Sequence, residues 1–233
     1  MSDHNTEASP RSLATWAGVL LLVSAVAGAY GEMVVPGKLA VSGDAAATAA
    51  NIQASGHLFR LGFASYLVEA ICDVALTGIF YVLLRPVRRD LAFITVCFRL
   101  VSTSTFAIAA FFYFAASVVL GMKAFPPDQA NALALLFMKL YGVGGGIFMV
   151  FYGVAALTLG ILIHRSTYLP KPLGALLMLA GLGFVGRNFL LVLAPAYASG
   201  LLLAPKGLGM VSLGLWLLVK GVDIAKWEAI SRP

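Results

Sequence analysis

Two acidic residues lie one helical turn apart inside an apolar stretch of the chain. Glu69 and Asp73 fall within residues 57–89, a run long enough to cross a bilayer. Residues four apart share one face of a helix, so the two carboxyl groups lie on the same side. A carboxylate in hydrocarbon costs about 3 kcal/mol on insertion scales unless it is neutral, paired or hydrated. The rest of the chain must therefore supply partners for this face.

Two arginines occur at depths that suit these acids. At 1.5 Å per helical residue, Glu69 lies about 24 Å and Asp73 about 18 Å from the basic end of their run. Arg99 lies about 13 Å and Arg187 about 22 Å from the corresponding ends of their own runs. The depths predict the pairs Asp73–Arg99 and Glu69–Arg187. Asn188 could satisfy donors and acceptors that remain.

A second polar group is predicted nearer the opposite end of the apolar runs. It consists of Glu32, Arg60 and Lys139. The long lysine side chain can extend along apolar surface and hold its ammonium group in water.

These charged residues allow two interpretations. Ionisable side chains within a membrane often line a binding cavity or relay a proton or ion. A buried ion-pair network can also fix helix register without any ligand, because an unpaired buried charge is strongly destabilising. We therefore predict binding or transport of a small solute or ion, with a non-catalytic sensor or assembly module as the alternative.

The sequence contains no pattern typical of a catalytic or metal site. It has no nucleophile elbow, phosphate-binding loop or HExxH motif. Cys72 and Cys97 are expected at different depths, which disfavours a disulfide. The tyrosines at 113, 141 and 152 are expected to serve packing. We expect no cofactor and no metal, so a membrane enzyme acting on lipid or quinone is the weakest hypothesis.

The composition indicates an integral membrane protein. Apolar residues make up 61% of the 233 residues and charged residues only 11%. The formal charge of +6 does not indicate nucleic-acid binding, because no basic patch with interleaved aromatic residues occurs. Membrane lipid is the expected partner.

Six apolar runs predict an all-α bundle of six membrane-spanning helices. The runs cover 13–35, 58–84, 91–121, 140–164, 173–193 and 201–219, the last interrupted early by Ala204-Pro205. They define a membrane domain over 13–222, between a disordered segment 1–12 and a polar tail 223–233. Asp44 is expected to cap a short helix on the outer surface.

Two segments need separate treatment. The stretch 129–163 is too long for one ordinary span, so residues 129–139 are expected to form an interfacial approach to a crossing from about 140 to 164. The first run also resembles a signal-peptide core with a small-residue cleavage site. We favour an uncleaved span, because apolar sequence continues past that site.

The distribution of lysine and arginine predicts the orientation. With both termini in the cytoplasm, nine basic residues lie on the inner side: Arg11, Arg85, Arg88, Arg89, Arg165, Lys171, Lys220, Lys226 and Arg232. Only Lys38, Lys123 and Lys206 lie on the outer side. Cytoplasmic loops carry such an excess, so we predict that both termini are inside.

Glycines recur every seven residues in the last three spans. The series are 146, 153 and 160; 174 and 181; and 200, 207, 214 and 221. Seven residues are close to two helical turns, so each series forms a smooth stripe along which another helix can approach closely. The stripes indicate tight packing within the chain or in a homo-oligomer; lining of a substrate path is the alternative.

Three segments resemble a known family. They are GDAAATAANIQASGHLFRLG from Gly43, LGILIHRSTYLPKPLGALLMLAGLGF from Leu159 and LWLLVKGV from Leu215. They are similar to a bacterial multi-pass membrane family catalogued as domain of unknown function 4386, over about 13–222. The resemblance implies six spans and a bacterial cytoplasmic membrane, but no activity. An acid often precedes the final tryptophan segment in this family, whereas Met210-Val211-Ser212 occupies that position here.

Overall fold

The computed structural model describes residues 9–231, except for the side chain of Lys206. Within this part the chain is helical and contains no strand, and six helices are long and apolar enough to cross a membrane. The predicted all-α architecture with six spans is confirmed. Most of the predicted disordered segment 1–12 lies outside the described residues, as does Arg232.

The helices agree closely with the predicted runs. They are α1 (Pro10–Gly28), α2 (Val35–Leu39), α3 (Ala45–Ala54), α4 (Gly56–Leu84), α5 (Arg89–Gly121), α6 (Pro127–Arg165), α7 (Lys171–Leu193), α8 (Ala204–Val219) and α9 (Ile224–Ser231). A π-helical turn, Ala29–Val34, joins α1 to α2, so the first span runs without a break to Leu39. Two short 3-10 turns, Pro195–Tyr197 and Gly200–Leu203, precede α8.

Asp44 caps α3 as predicted. Its carboxylate accepts a hydrogen bond from the backbone N–H of Ala47 at 2.8 Å. Short polar side chains at this position satisfy one of the donors that a helix start leaves free. The cap fixes where the chain turns back between the first two spans.

The fourth spanning helix is longer than the predicted crossing at 140–164, because the segment predicted as an interfacial approach continues into it. α6 is one helix of 39 residues, about 58 Å long, and it includes the segment 129–139. Residues 129–139 are mostly strong helix formers, and the pair Pro126-Pro127 lies at the helix start, where proline is tolerated. α6 also continues through Gly144-Gly145-Gly146.

The six spans form a closed ring. Each packs against its two ring neighbours in the order α1, α4, α5, α6, α7, α8, and α8 returns to α1. α1 begins and α8 ends at the same end of the ring, which we call the terminus end. α3 packs mainly against α6 at the other end, the α3 end.

The glycine stripes of α6 and α7 form close backbone contacts in the ring. A Cβ added to Gly181 would lie 2.5 Å from the carbonyl oxygen of Gly153, and one added to Gly160 would lie 2.7 Å from that of Gly174. Such distances leave no room for a side chain, so the backbones of α6 and α7 touch at these positions. Tight packing is thus confirmed for this pair of helices.

Only part of the glycine series in the sixth span contacts a neighbouring helix. A Cβ on Gly18 of α1 would lie 2.8 Å from the carbonyl oxygen of Gly214. Added Cβ atoms at Gly200 and Gly207 would meet no atom of the described residues within 4 Å. Close packing through this stripe is therefore seen at Gly214, against α1, and not at Gly200 or Gly207.

A polar layer divides the apolar interior into two cores. The core at the terminus end includes Leu76, Phe80 and Leu162, and the core at the α3 end is built around Tyr66 and Tyr113. Buried polar side chains lie between them on α4 and α5: Glu69, Asp73, Thr77, Arg99, Ser102 and Thr103. The candidate functional residues therefore sit in this layer and on its α3 side.

Candidate functional site

Asp73 and Arg99 form the predicted ion pair. The Nη2 atom of Arg99 lies 3.2 Å from Oδ1 of Asp73, and both side chains are only 5% exposed. The Nε–H of Arg99 donates to the hydroxyl of Thr77 at 2.9 Å, and that hydroxyl donates to the backbone carbonyl of Asp73 at 2.7 Å. The guanidinium group is thus held on two sides by hydrogen bonds.

Aromatic rings enclose the same guanidinium group. Its carbon lies 5.7 Å from the ring centre of Phe80 and 5.8 Å from that of Tyr152. Cations at such distances are attracted by the ring face. A cavity of about 20 Å³ adjoins Arg99, which suffices for a single water molecule. A solute larger than water has no room there.

Glu69 packs against the backbone of α1. A Cβ added to Gly28 would lie 2.9 Å from Oε1 and 3.1 Å from Oε2 of Glu69. The carboxylate therefore fills the space that glycine leaves open, directly before the π-helical turn. The predicted pair of Glu69 with Arg187 stays a prediction.

A larger pocket lies on the α3 side of the polar layer. It encloses about 360 Å³ between the π-helical turn, α5, α6 and α7. Its polar lining comes from Glu32, Tyr141, Arg187 and Asn188, and its apolar lining includes Met33, Phe106, Phe148, Met149 and Leu191. We call it the Glu32–Arg187 pocket. It combines charges of both signs with apolar walls.

Two consecutive polar residues of α7, Arg187 and Asn188, line this pocket. The Nε of Arg187 is buried and has no hydrogen-bond partner among the described residues. The amide of Asn188 donates to the carbonyl of Phe184 at 2.9 Å, and its Oδ1 atom lies 3.5 Å from the position of a Cβ added to Gly146. The α7 wall therefore combines an unsatisfied buried donor with an amide oxygen.

Within Gly144-Gly145-Gly146, one glycine packs against a neighbouring helix and the other two line the pocket. A Cβ on Gly144 would lie 2.8 Å from the Cβ of Ala109, so α5 requires a glycine there. Gly142, Gly145 and Gly146 line the pocket instead, and at Gly142 and Gly145 an added Cβ would meet nothing of the described chain within 4 Å. The missing side chains at these positions enlarge the pocket.

Two tyrosines link the pocket to the π-helical turn, a feature that the sequence analysis missed. The hydroxyl of Tyr141 donates to that of Tyr66 at 2.7 Å, and Tyr66 donates to the carbonyl of Gly31 at 2.6 Å. Tyr141 also lies within electrostatic range of Glu32 and Glu69. Tyr66 precedes Glu69 by three residues, so it shares the helix face of the two acids, a spacing that could have revealed it.

The predicted outer cluster is distributed over different surfaces. Glu32 lines the Glu32–Arg187 pocket, whereas Arg60 lines a separate groove beside Gln53 and donates to the carbonyl of Gly56 at 3.3 Å. Lys139 is exposed. Counting residues along each run predicts the depth of these residues but not their direction around each helix, and this direction separates Arg60 from Glu32.

Histidine, cysteine and acidic side chains do not form a cluster typical of a metal site within residues 9–231. The described part contains no group of three or more histidine, cysteine or acidic side chains that could hold a metal ion. Cys72 is a buried free thiol and Cys97 an exposed one.

Comparison with known proteins gives the family. Residues 16–221 match the family described as Domain of unknown function (DUF4386). An uncharacterized protein of Archaeoglobus fulgidus is 27% identical over 163 residues, which cover 70% of this chain and 84% of that protein. No solved structure matches the chain. Since the family match spans most of the sequence and agrees with the six spans, the protein belongs to the DUF4386 family of membrane proteins.

Proposed function

We propose that the protein binds a small zwitterionic solute in the Glu32–Arg187 pocket. The observation that carries this proposal is the buried Nε of Arg187, which has no hydrogen-bond partner among the described residues and belongs to a side chain that lines the pocket. An unsatisfied buried donor costs about 1–3 kcal/mol. A ligand that brings an acceptor into the pocket would recover this cost.

The lining suggests the chemistry of the ligand. Arginine matches carboxylate and phosphate groups, while Glu32 and the Oδ1 of Asn188 accept hydrogen bonds from an ammonium group. Met149, Phe148 and other apolar side chains suit a short hydrocarbon portion. A volume of about 360 Å³ is at the small end of the usual range for ligand pockets. An amino acid or a betaine has this combination of groups and size.

The pocket would open to the extracytoplasmic side. This follows from the predicted orientation, with both termini in the cytoplasm, because the pocket lies towards the α3 end. Counted from the first residue of α7, Arg187 lies about 24 Å along its helix, in the far half of a hydrocarbon layer about 30 Å thick. The bacterial cytoplasmic membrane, which the sequence resemblance implies, is the location that we propose.

Transport would need a rearrangement of the terminus end. The Asp73–Arg99 pair and the α6–α7 glycine contacts close that side of the pocket. They favour the alternative role, a structural one, for the inner half of the molecule. We therefore propose binding as the primary function and assign the Asp73–Arg99 pair to helix register rather than to ligand contact.

The proposal is tested by ligand-dependent thermal stability. The purified protein is melted in detergent with a panel of amino acids and betaines, and compounds that raise the Tm are measured again with Gly145→Leu. This variant places a side chain in the pocket at a position where an added Cβ meets no described atom within 4 Å. Gly78→Leu, on the exposed face of α4, is the matched control.

The expected result is a stabilising compound whose effect is lost in Gly145→Leu and kept in Gly78→Leu. If no member of the panel raises the Tm, or if Gly145→Leu responds like the wild type, the proposed function is wrong.

A further inference from the structure

The C-terminal helix is fixed to the bundle by one carbonyl group. The indole N–H of Trp227 in α9 donates to the carbonyl of Leu83 at 3.0 Å, and the hydroxyl of Tyr168 donates to the same oxygen at 2.6 Å. Leu83 lies in the last turn of α4, where carbonyl groups lack helical partners. Burial raises the pKa of Tyr168, so its hydroxyl stays protonated and remains a donor at neutral pH.

The start of α9 is fixed as well. The carboxylate of Asp223 accepts a hydrogen bond from the backbone N–H of Lys226 at 3.2 Å and lies 3.0 Å from its ammonium group. Hydrogen bonds from the Lys226 side chain and backbone hold the pKa of Asp223 below its usual value. The cap therefore stays charged at neutral pH, and it is lost only as the pH falls through that lowered pKa.

A basic notch lies between α9 and the turn that joins α4 to α5. It encloses about 330 Å³ and is lined by Arg85, Pro86, Arg89, Trp227, Ile230 and Ser231. Both arginines are exposed. Asp90, the acid nearest to them in sequence, pairs with Arg88 at 3.3 Å. The two guanidinium groups thus face a preformed recess with an indole and an aliphatic side chain on its other wall.

We propose that this notch binds the phosphate group of an anionic phospholipid. Guanidinium groups match phosphate oxygens in charge and geometry. Arg89 is the first residue of α5, and the positive end of a helix dipole favours an anion there. Basic recesses on the cytoplasmic side of membrane helices bind lipid headgroups, and tryptophan is enriched at the same level.

The surroundings favour a lipid over free phosphate. The notch lies at the terminus end of the spans, where headgroups meet hydrocarbon. Ile224 and Ile230 of α9 are 37% and 40% exposed, which suits contact with acyl chains rather than with water. This inference does not depend on the solute pocket, which lies at the opposite end of the bundle.

The test compares lipid binding to the full chain by native mass spectrometry. The protein is titrated with dioleoyl-phosphatidylglycerol or dioleoyl-phosphatidylcholine, with and without inorganic phosphate as competitor. The double variant Arg85→Gln/Arg89→Gln removes the proposed contacts. Arg11→Gln/Arg165→Gln removes the same charge from the same end of the bundle, outside the notch. Melting in phosphatidylcholine nanodiscs checks that both double variants fold.

Phosphatidylglycerol is expected to bind more tightly than phosphatidylcholine. Its affinity should fall about thirtyfold in Arg85→Gln/Arg89→Gln, from about fivefold per arginine near an anionic headgroup, and much less in the control. Equal affinity for the two lipids, or an equal loss in both double variants, would overturn the proposal. Displacement of phosphatidylglycerol by equimolar inorganic phosphate would also overturn it and assign the notch to a free anion.

Discussion

Arg99 shows how a charge is accommodated in the interior of this protein. One carboxylate, one hydroxyl and two aromatic rings surround its guanidinium group, and only a water-sized cavity adjoins it. Breaking such a pair is costly, because the remaining charge stays buried without its counter-charge. The residue fixes α4 against α5, which is a structural contribution.

Removing the partner of Arg99 should reveal this cost. Asp73→Asn is expected to lower the free energy of unfolding by about 3–5 kcal/mol, since the guanidinium group would remain buried without a counter-charge. Reversible unfolding in mixed micelles measures the effect. Asp90→Asn is the control, because it breaks an exposed pair worth about 1 kcal/mol or less. Equal effects of the two substitutions would contradict a structural role for Asp73.

The hydroxyl of Tyr66 should also contribute to the stability of the fold, because its hydrogen bond to Gly31 is buried. Tyr66→Phe removes both the donor to Gly31 and the acceptor for Tyr141, and it should destabilise the protein by about 1–3 kcal/mol. Thermal unfolding of Tyr66→Phe is compared with that of Tyr197→Phe, whose ring is 76% exposed. If both variants melt like the wild type, the two-hydroxyl link does not hold the π-helical turn.

Depth along a helix was sufficient to predict one ion pair but not the pocket. Asp73 and Arg99 lie on neighbouring helices, so agreement in depth was enough to bring them together. Glu32 and Arg187 required a knowledge of which helices are neighbours in the ring and how each is rotated. Neither follows from composition or spacing in a single sequence.

At the scale of the helices, the positions of glycine determine where the backbones of two helices come into contact. Gly181→Ala is expected to destabilise the protein by about 1–3 kcal/mol, because its methyl group would overlap the backbone of α6 at Gly153. Gly186→Ala on the same helix should be neutral or stabilising, since its Cβ would meet no described atom. Unfolding experiments on the two variants test the difference, and similar stabilities would refute the proposed role of the stripe.

The helices themselves were largely predictable from sequence. Long apolar runs and the cap at Asp44 gave five spans and α3 within a few residues of their observed bounds. The length of α6 was not predicted, because 39 residues exceed what one ordinary span requires; in the structure the helix continues through Gly144, which packs closely against Ala109. The π-helical turn has no sequence pattern of its own; it depends on the contact between Gly31 and Tyr66.

At the scale of the whole molecule, six spans place the two ends of the described chain on the same side of the membrane. The orientation predicted from the basic loops puts that side in the cytoplasm. A reporter domain that matures only outside the cytoplasm should be active when inserted after Gly43 and inactive when fused after the C-terminal residue. Activity of the C-terminal fusion would show that the orientation is the opposite of the predicted one and that the solute pocket opens to the cytoplasm.

The two halves of the molecule, on either side of the polar layer, differ in how closely they are packed. The terminus end is closed by an ion pair and backbone contacts, while the α3 end has a pocket lined by Arg187, whose buried Nε has no hydrogen-bond partner among the described residues. Burial of polar groups without partners is costly, and such costs persist in proteins mainly where function requires them. The pocket is therefore the part of the molecule where we expect ligand specificity to be determined.

The most direct test asks whether water and small ions reach the Glu32–Arg187 pocket in the membrane. Gly145→Cys and Gly78→Cys are introduced into a chain carrying Cys72→Ala and Cys97→Ala, and intact cells are treated with a cationic, membrane-impermeant thiol reagent. We predict that the cysteine at 145 reacts, whereas the cysteine at 78, on the exposed apolar face of α4, does not. Failure of the cysteine at 145 to react would contradict the existence of a hydrated, outward-facing binding pocket.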